Sequence, residues 1–571
     1  MVSAPAAAAE GPSSARLLLL PPGTTVEEMA EAGFSPGLMS PGLGTVPPEQ
    51  TYLDIGQGNR VFDSLYDEDL PPRSAPDWWR SVVKRAESAP AEIVPGLLEA
   101  TLRKEGVPAR SFEVRPARLP EVAPGQDQLL IAIARPTGRS DDPLPIGIAG
   151  AGFHGNLTSD STQMDGYVLS TDLAPTILDH FGIPIPPEMS GQPIRTEGDV
   201  DVAAIESLGA RMGVISSRRG PVIGLNVVIW LLGLALVALL SRGRLARPAV
   251  RLVGLSIVYM PLVLLIGAGL EPSEGAERLL VLLLSPALSA ATLIALRGYR
   301  ALALASAATV LAYAVDMVAG SRLTSLSLLG PNPGLGVRFY GIGNELEATV
   351  AALVPIGTGA ALAGWAPRAS GRAAAVAFAI TAVLAVAAFA PGSFGADVGA
   401  AIGIPIGAAV SIGICLGVGR TGWVWVIVAP LAAVAALMAI DLATGGNAHL
   451  TRSVLDAGGL GNLGDIFQRR LQLSAHSFAR YAESFIFWIV IALIVAGLTQ
   501  WRRIEGWFGG RRTAWAGFVG ALAATLAGTL ANDSGALLLM IGAVLCAATV
   551  GVAWATHEER RSPTFWSPPV R

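Results

Sequence analysis

Polar and ionisable residues at the ends of long apolar stretches are the ones here best placed to do chemistry, because such groups are costly at membrane depth and usually functional there. Three short motifs carry them. FYGIGNELE (339–347) holds Asn344, Glu345 and Glu347; PGSFGAD (391–397) holds Asp397; ANDSG (531–535) holds Asn532 and Asp533. Each combines Gly with Asn or Asp near a helix start. Converging carboxylates can bind a cation, act as a general base or hold a polar head group. Capping of the following helices is the alternative for each motif alone. Glu345, Asp397 and Asp533 are the expected catalytic groups, with Asn344, Glu347 and Asn532 binding beside them. Asp316 and Asp441 end two further apolar stretches. His449 and Arg452, in NAHLTR, are candidates to face the same pocket. Segment 466–480, IFQRRLQLSAHSFAR, reads as an amphipathic interfacial helix with Arg469, Arg470 and Arg480 available for lipid phosphates, or as an ordinary connector.

The elements that must position these residues are membrane spans. The chain has 571 residues, is 52% hydrophobic and only 15% charged, against about a quarter charged for a soluble domain. Residues 1–220 hold 17 basic and 29 acidic side chains, a net of −12; residues 221–571 hold 23 and 15, a net of +8. That split excludes one uniform soluble globule, a disordered chain and a nucleic-acid binder. Eleven apolar stretches, each long enough to cross ~30 Å of hydrocarbon, are read at 222–241, 251–270, 278–296, 300–319, 346–365, 372–390, 396–418, 422–440, 482–500, 513–531 and 534–555. With residues 1–220 outside, 16 of the 23 basic residues beyond 220 fall on the inner side, as the positive-inside rule requires. The motifs above then all lie at the outer face, and the tail 556–571 is cytoplasmic. The expected location is a plasma membrane, crossed many times.

Residues 1–14 lack a basic start and a long apolar run, and resemble the stretch around a signal cleavage site. The true start is therefore expected upstream. The first 220 residues have no Cys, so neither a disulfide framework nor a Cys-based metal site is available there.

Between 15 and 220, short strands alternate with helices. Ala15–Leu20, Ser111–Arg115, Gln128–Ala134 and Pro145–Ala149 read as strands; Val26–Ala32, Asp77–Ala89, Ala91–Lys104 and Thr171–Phe181 read as helices. The pattern predicts an α/β domain with a mostly parallel sheet. Residues 34–60 read as a Gly/Ser/Pro-rich loop, active-site-like, leading into a polar strand-turn at Thr51–Arg60. Within it Ser40 is a candidate nucleophile or a turn residue. Asp54 and Arg60 either bind a ligand or pair with each other.

Gly166–Pro186, GYVLSTDLAPTILDHFGIPIP, with Met189–Ile194 after it, resembles the D-x-x-P-T-[IL]-L-x-x-x-G-[IV]-P element of alkaline-phosphatase and sulfatase-like domains. Ile146–Phe153, Ala15–Leu20 and Gly37–Ser40 fall in the order of that family's later strand, first strand and nucleophile loop. The resemblance covers about residues 15–200. It implies a phosphatase-like fold and places Ser40 at the nucleophile position. This chain departs from the family where metal ligands are expected: Pro21-Pro22 follows the first strand, and Arg135-Pro136 follows Gln128–Ala134. His154 is the one plausible ligand imidazole, since His180 lies on a helix. The implied domain is a shortened relative with no metal expected and no cofactor identified.

The expected molecule is thus an extracytoplasmic, shortened alkaline-phosphatase-like α/β domain (15–220), then an all-α polytopic membrane domain (221–555) of about eleven spans with an outer segment at 441–481. Its expected partners are the bilayer and a phosphorylated or lipid-linked glycan, or a phospholipid, bound or modified at the outer face; nucleic acid is not one. A transporter or flippase gated by the outer domain, and a non-catalytic assembly factor, are the alternatives.

Overall fold

The computed structural model describes residues 14–561, apart from 67–68, 90, 120–127, 151, 392–394, 396, 533 and most of 420–476 (424, 428–429, 431–433, 435–436 and 474 are described). The chain divides into two compact units, Met1–Ser216 with Asn332–Phe339, and Ser217–Pro331 with Tyr340–Arg571.

The first unit is α/β. Its sheet is built from β1 (Ser14–Leu20), β2 (Ser35–Ser40), β3 (Phe112–Pro116), β4 (Gln128–Ala134), β5 (Leu144–Ala149) and β7 (Tyr167–Leu169), in the order β3-β1-β4-β5-β2-β7. The pairings β1–β3, β1–β4 and β2–β7 are parallel, and β5 runs antiparallel to both its neighbours. A separate antiparallel ribbon joins β6 (Asn156–Ser159) to β8 (Ile194–Glu197). The apolar runs in β1 and β4 exist because both sheet faces are covered. Leu17, Ile131, Ile133 and Ile148 pack with Leu173 and Ile177 on one face; Leu18, Leu20, Leu130 and Ala132 pack with Met29 and Phe34 on the other.

Helices α1 (Val26–Glu31), α3 (Trp78–Glu87), α4 (Leu97–Lys104) and α5 (Leu173–His180) lie within the expected helical stretches. The stretch 34–60 differs from expectation. Ser35–Ser40 is the fully buried strand β2, and Pro48–Gln57 is the helix α2. Gly37 interrupts β2 in sequence because Leu157 packs where its Cβ would be. In α2 the buried residues are Gln50, Thr51, Asp54, Ile55 and Gln57, a polar face turned inward that reads as solvent-facing in sequence.

The second unit is helical. Its first helix is the continuation of one that begins in the first unit: Val202–Leu240 comprises α6 (Val202–Arg219), a π-helical turn at Gly220–Gly224, and α7 (Leu225–Leu240). It is followed by α8 (Ala246–Leu270), α9 (Glu274–Ala295), α10 (Tyr299–Val318), the short α11 (Arg322–Leu326), α12 (Asn344–Trp365), α13 (Gly371–Phe389) and α14 (Val398–Leu416). After the sparsely described stretch come α15 (Phe485–Thr499), α16 (Trp501–Trp507), α17 (Arg512–Ala531) and α18 (Gly535–Arg561). Among the described residues, nine helices are long and apolar enough to cross a membrane, or ten spans if α15 and α16, bent by 79° at their junction, form one. The stretch expected at 422–440 lies largely outside the described residues. Many exposed large side chains are apolar, including Leu232, Leu239, Ile294 and Phe485, as a multi-pass membrane protein requires.

Helix α17 packs between α12 and α14 through glycine. A Cβ at Gly517 would overlap the Pro355 carbonyl oxygen, and one at Gly407 would lie 2.9 Å from the Gly520 carbonyl oxygen. Small residues let helix backbones approach where lipid offers no hydrophobic drive for association. This close packing fixes α12, α14 and α17 against one another along their lengths.

Candidate functional site: a buried polar cluster at three helix ends

The three motifs meet. The amide of Ile342, before α12, donates to the carbonyl of Gly395, before α14, at 2.9 Å. Asn532, at the end of α17, donates from Nδ2 to Asn344 Oδ1 at 3.0 Å and to Glu347 Oε2 at 2.7 Å. Its Oδ1 accepts from the Ser534 amide at 2.9 Å. The Asn532 side chain is therefore fixed at both ends, and its orientation follows from its neighbours. Glu347 is 1% exposed. A Cβ on Gly399, in the first turn of α14, would overlap the Glu347 carboxylate. Only glycine leaves room for that carboxylate.

The remaining expected site residues are placed differently. Asp397 accepts from the Ala400 amide at 2.7 Å and caps α14. Asp316 caps α11, accepting from the amides of Leu323 at 3.1 Å and Thr324 at 2.7 Å. Glu345 pairs with Arg219, whose other nitrogen donates to the Gly330 carbonyl at 2.6 Å. Asp533, His449, Arg452 and Asp441 lie outside the described residues, as does most of 441–481.

Sequence reasoning missed Arg218 and Arg219. They stand side by side just before the π-helical turn and reach different carboxylates. Arg218 donates to Glu277 at 3.0 Å and to the Pro272 carbonyl at 2.8 Å. Glu277 is fully buried in α9. A usable signal was present: Glu277 and Glu345 stand at the very edges of the apolar stretches 278–296 and 346–365, where a carboxylate needs a partner, and Arg218-Arg219 directly precede the stretch 222–241.

The α/β unit holds a second polar cluster, at the C-terminal end of β2, the end of a strand at which open α/β sheets tend to bind ligands. Ser40 is 2% exposed, and its Oγ donates to the Gly42 carbonyl at 2.9 Å. Arg60 donates to Ser40 Oγ at 3.3 Å and to the Gly42 carbonyl at 3.0 Å. Asp54 takes other partners: its Oδ1 accepts from Gln50 at 2.7 Å and from Gln57 at 3.0 Å, and its buried Oδ2 has no hydrogen-bond partner among the described residues. Burial pushes the Asp54 carboxyl up to about 8, against smaller opposing pulls from Gln50 and Arg60. Burial also lowers Arg60, opposed by Asp54. Gln50 links this acid to Arg85, which donates to Asp63 at 2.5 Å. Ser40 thus has a carbonyl as its acceptor rather than a base, a poor arrangement for a nucleophile.

The D-x-x-P-T element has a local explanation. Asp172 accepts from Ser159 Oγ at 2.7 Å, Ser161 Oγ at 2.6 Å, the Leu169 amide at 2.9 Å and the Gln192 amide at 3.0 Å. Thr176 donates to the Asp172 carbonyl at 2.6 Å and accepts from the Ile194 amide at 2.8 Å, tying α5 to β8. A Cβ at Gly191 would overlap the Thr171 carbonyl oxygen. His154 is exposed on its loop, and His180 approaches the Ser14 carbonyl at 3.2 Å. Among the described residues no three His, Cys, Asp or Glu side chains are grouped to hold a metal.

No family model, no curated protein and no solved structure matches this chain.

Proposed function

We propose that this is a cell-envelope membrane protein whose helical unit binds or modifies a phosphorylated or lipid-linked glycan, or a phospholipid, at the outer face. The α/β unit is then a degenerate, non-catalytic relative of the phosphatase-like domains, lying outside the cell, and the C-terminus is cytoplasmic. The observation that carries the reading is the Asn532–Asn344–Glu347 hydrogen-bonded cluster, which joins the ends of α12 and α17 and has Gly399 of α14 packed against its carboxylate. Buried ionisable groups in membrane helices are rare and mark function by default. Glu347 is the group best placed to act on a head group. Glu345 and Asp397, each already engaged, would shape the site.

The test is the Glu345→Gln, Asp397→Asn, Asp533→Asn triple variant together with Glu347→Gln, each folded in nanodiscs, with binding and turnover of a lipid-linked phosphorylated glycan measured. Loss in Glu347→Gln supports the reading; full function in both overturns it.

A transporter is the second reading, favoured by one observation: the 79° break between α15 and α16, since discontinuous helices build many transporter sites. Substrate-dependent flux in proteoliposomes would favour it over lipid turnover without flux.

A further inference from the structure

The end of β2 is occupied by the chain itself. Arg60 Nη2 donates to the Gly336 carbonyl at 2.7 Å, and the Gly44 amide donates to the Leu335 carbonyl at 2.9 Å. The Phe339 ring lies 5.5 Å from that of Tyr167 and 5.8 Å from the Arg60 guanidinium carbon. The fit is close enough to select glycine. At Gly336, φ is +71°, and a Cβ would lie 2.5 Å from the Gly42 carbonyl oxygen and 2.9 Å from Ser40 Oγ. At Gly334 a Cβ would lie 2.8 Å from the Met212 carbonyl oxygen.

We propose that the Ser40–Arg60–Tyr167 surface is a receptor for the protein's own segment 332–339, and that Arg60 is its releasable latch. The partners that Arg60 holds here are neutral oxygens: a hydroxyl and two carbonyls. A half-buried guanidinium whose hydrogen-bond acceptors are neutral, with Asp54 acting on it only through space, recovers less of its desolvation cost than one hydrogen-bonded to a carboxylate. The Tyr167 side chain is fully buried beside it, next to Ser40. Socket and strap meet through a close glycine fit, the Gly44–Leu335 backbone hydrogen bond and the Arg60 guanidinium, so detachment costs less than unfolding the sheet beneath. The strap ends at Phe339 and leads directly into the FYGIGNELE motif. Release would free the segment that precedes Asn344 and Glu347. The latch does not depend on which ligand the helical unit takes.

The experiment is hydrogen exchange on the full-length protein in nanodiscs, following residues 332–339 and, as a fold control, β4 (128–134). Compared are the wild type, Arg60→Ala, Arg60→Lys and Gly336→Ala. A charged hydrogen bond contributes ~1.5–3 kcal/mol, so Arg60→Ala is expected to speed exchange in 332–339 about tenfold or more. Gly336→Ala should do the same and Arg60→Lys less, with β4 unchanged in all three. Unchanged exchange in 332–339 for both alanine variants would overturn the latch. So would a rise of equal size in 332–339 and β4, which would make the strap inseparable from the sheet. No ligand enters the readout, so its failure is distinct from failure of the glycan reading.

Discussion

Asn532 Nδ2 lies 2.7 Å from Glu347 Oε2, joining residues 185 positions apart in the sequence. The same nitrogen also reaches Asn344, so one amide group ties the end of α17 to the first turn of α12. Removing it strips a donor from a buried carboxylate, which is costly because the partner left behind stays desolvated. Asn532→Ala should destabilise the protein by ~1–3 kcal/mol. Asn532→Asp, which sets two carboxyls against each other, should cost more. Thermal unfolding in one detergent, comparing all three proteins, measures this.

Gly399 faces the same carboxylate from α14. A methyl group there would overlap Glu347, and overpacking a filled site costs ~1–3 kcal/mol. Gly399→Ala should therefore lower the melting temperature, while Gly506→Ala, where a Cβ meets no described atom within 4 Å, should not. Equal melting temperatures for the two variants would contradict the tight fit.

Asp54 gives the α/β unit a pH dependence of known sign. Its carboxyl is raised from 3.8 to about 8 by burial. The unfolded chain therefore loses this proton near pH 4, while the folded unit keeps it until about pH 8. Stability from this group is full below pH ~4, falls as pH rises from ~4 to ~8, and is flat above. Asp54→Asn should remove that slope. Chemical denaturation from pH 4.5 to 8 should show a steeper decline in the wild type than in the variant.

Asp172 is likewise raised by burial, but four hydrogen bonds oppose the shift. Its role is to gather β6, β7 and the turn at Gln192. Asp172→Ala leaves two backbone amides and two hydroxyls without their acceptor and should cost ~2–5 kcal/mol. Limited proteolysis of the α/β unit should accelerate accordingly, whereas Ser161→Ala alone should have a smaller effect.

Much of this was legible in sequence where hydrophobicity carried the signal. The apolar runs of β1 and β4 follow from burial, and the long stretches of α8 to α10 and α12 to α14 from apolar content that persists on exposed faces. Helix α2 was not legible, because its inward face is Gln50, Thr51, Asp54 and Gln57, and periodicity detects buried apolar residues, not buried polar ones. Strand β2 was hidden by Pro36 and Gly37, residues that usually weaken strands; here Gly37 accommodates Leu157. The meeting of the Asn344 and Asn532 motifs was foreseeable from their chemistry, since both are costly in an apolar bundle. The partners were not. Glu345 and Glu347 are two positions apart on one helix and so face different directions, which sends Glu345 to Arg219 and Glu347 to Asn532.

The most direct test of the central claim replaces one oxygen. Glu347→Gln keeps the side-chain shape and an acceptor for Asn532 while removing the charge. Binding of a lipid-linked phosphorylated glycan to the purified protein in nanodiscs is then measured against the wild type, with matched melting temperatures. The account requires at least a tenfold loss of binding or turnover. Wild-type behaviour from a folded Glu347→Gln protein would mean that the cluster at the ends of α12, α14 and α17 is a packing device and that the function lies elsewhere.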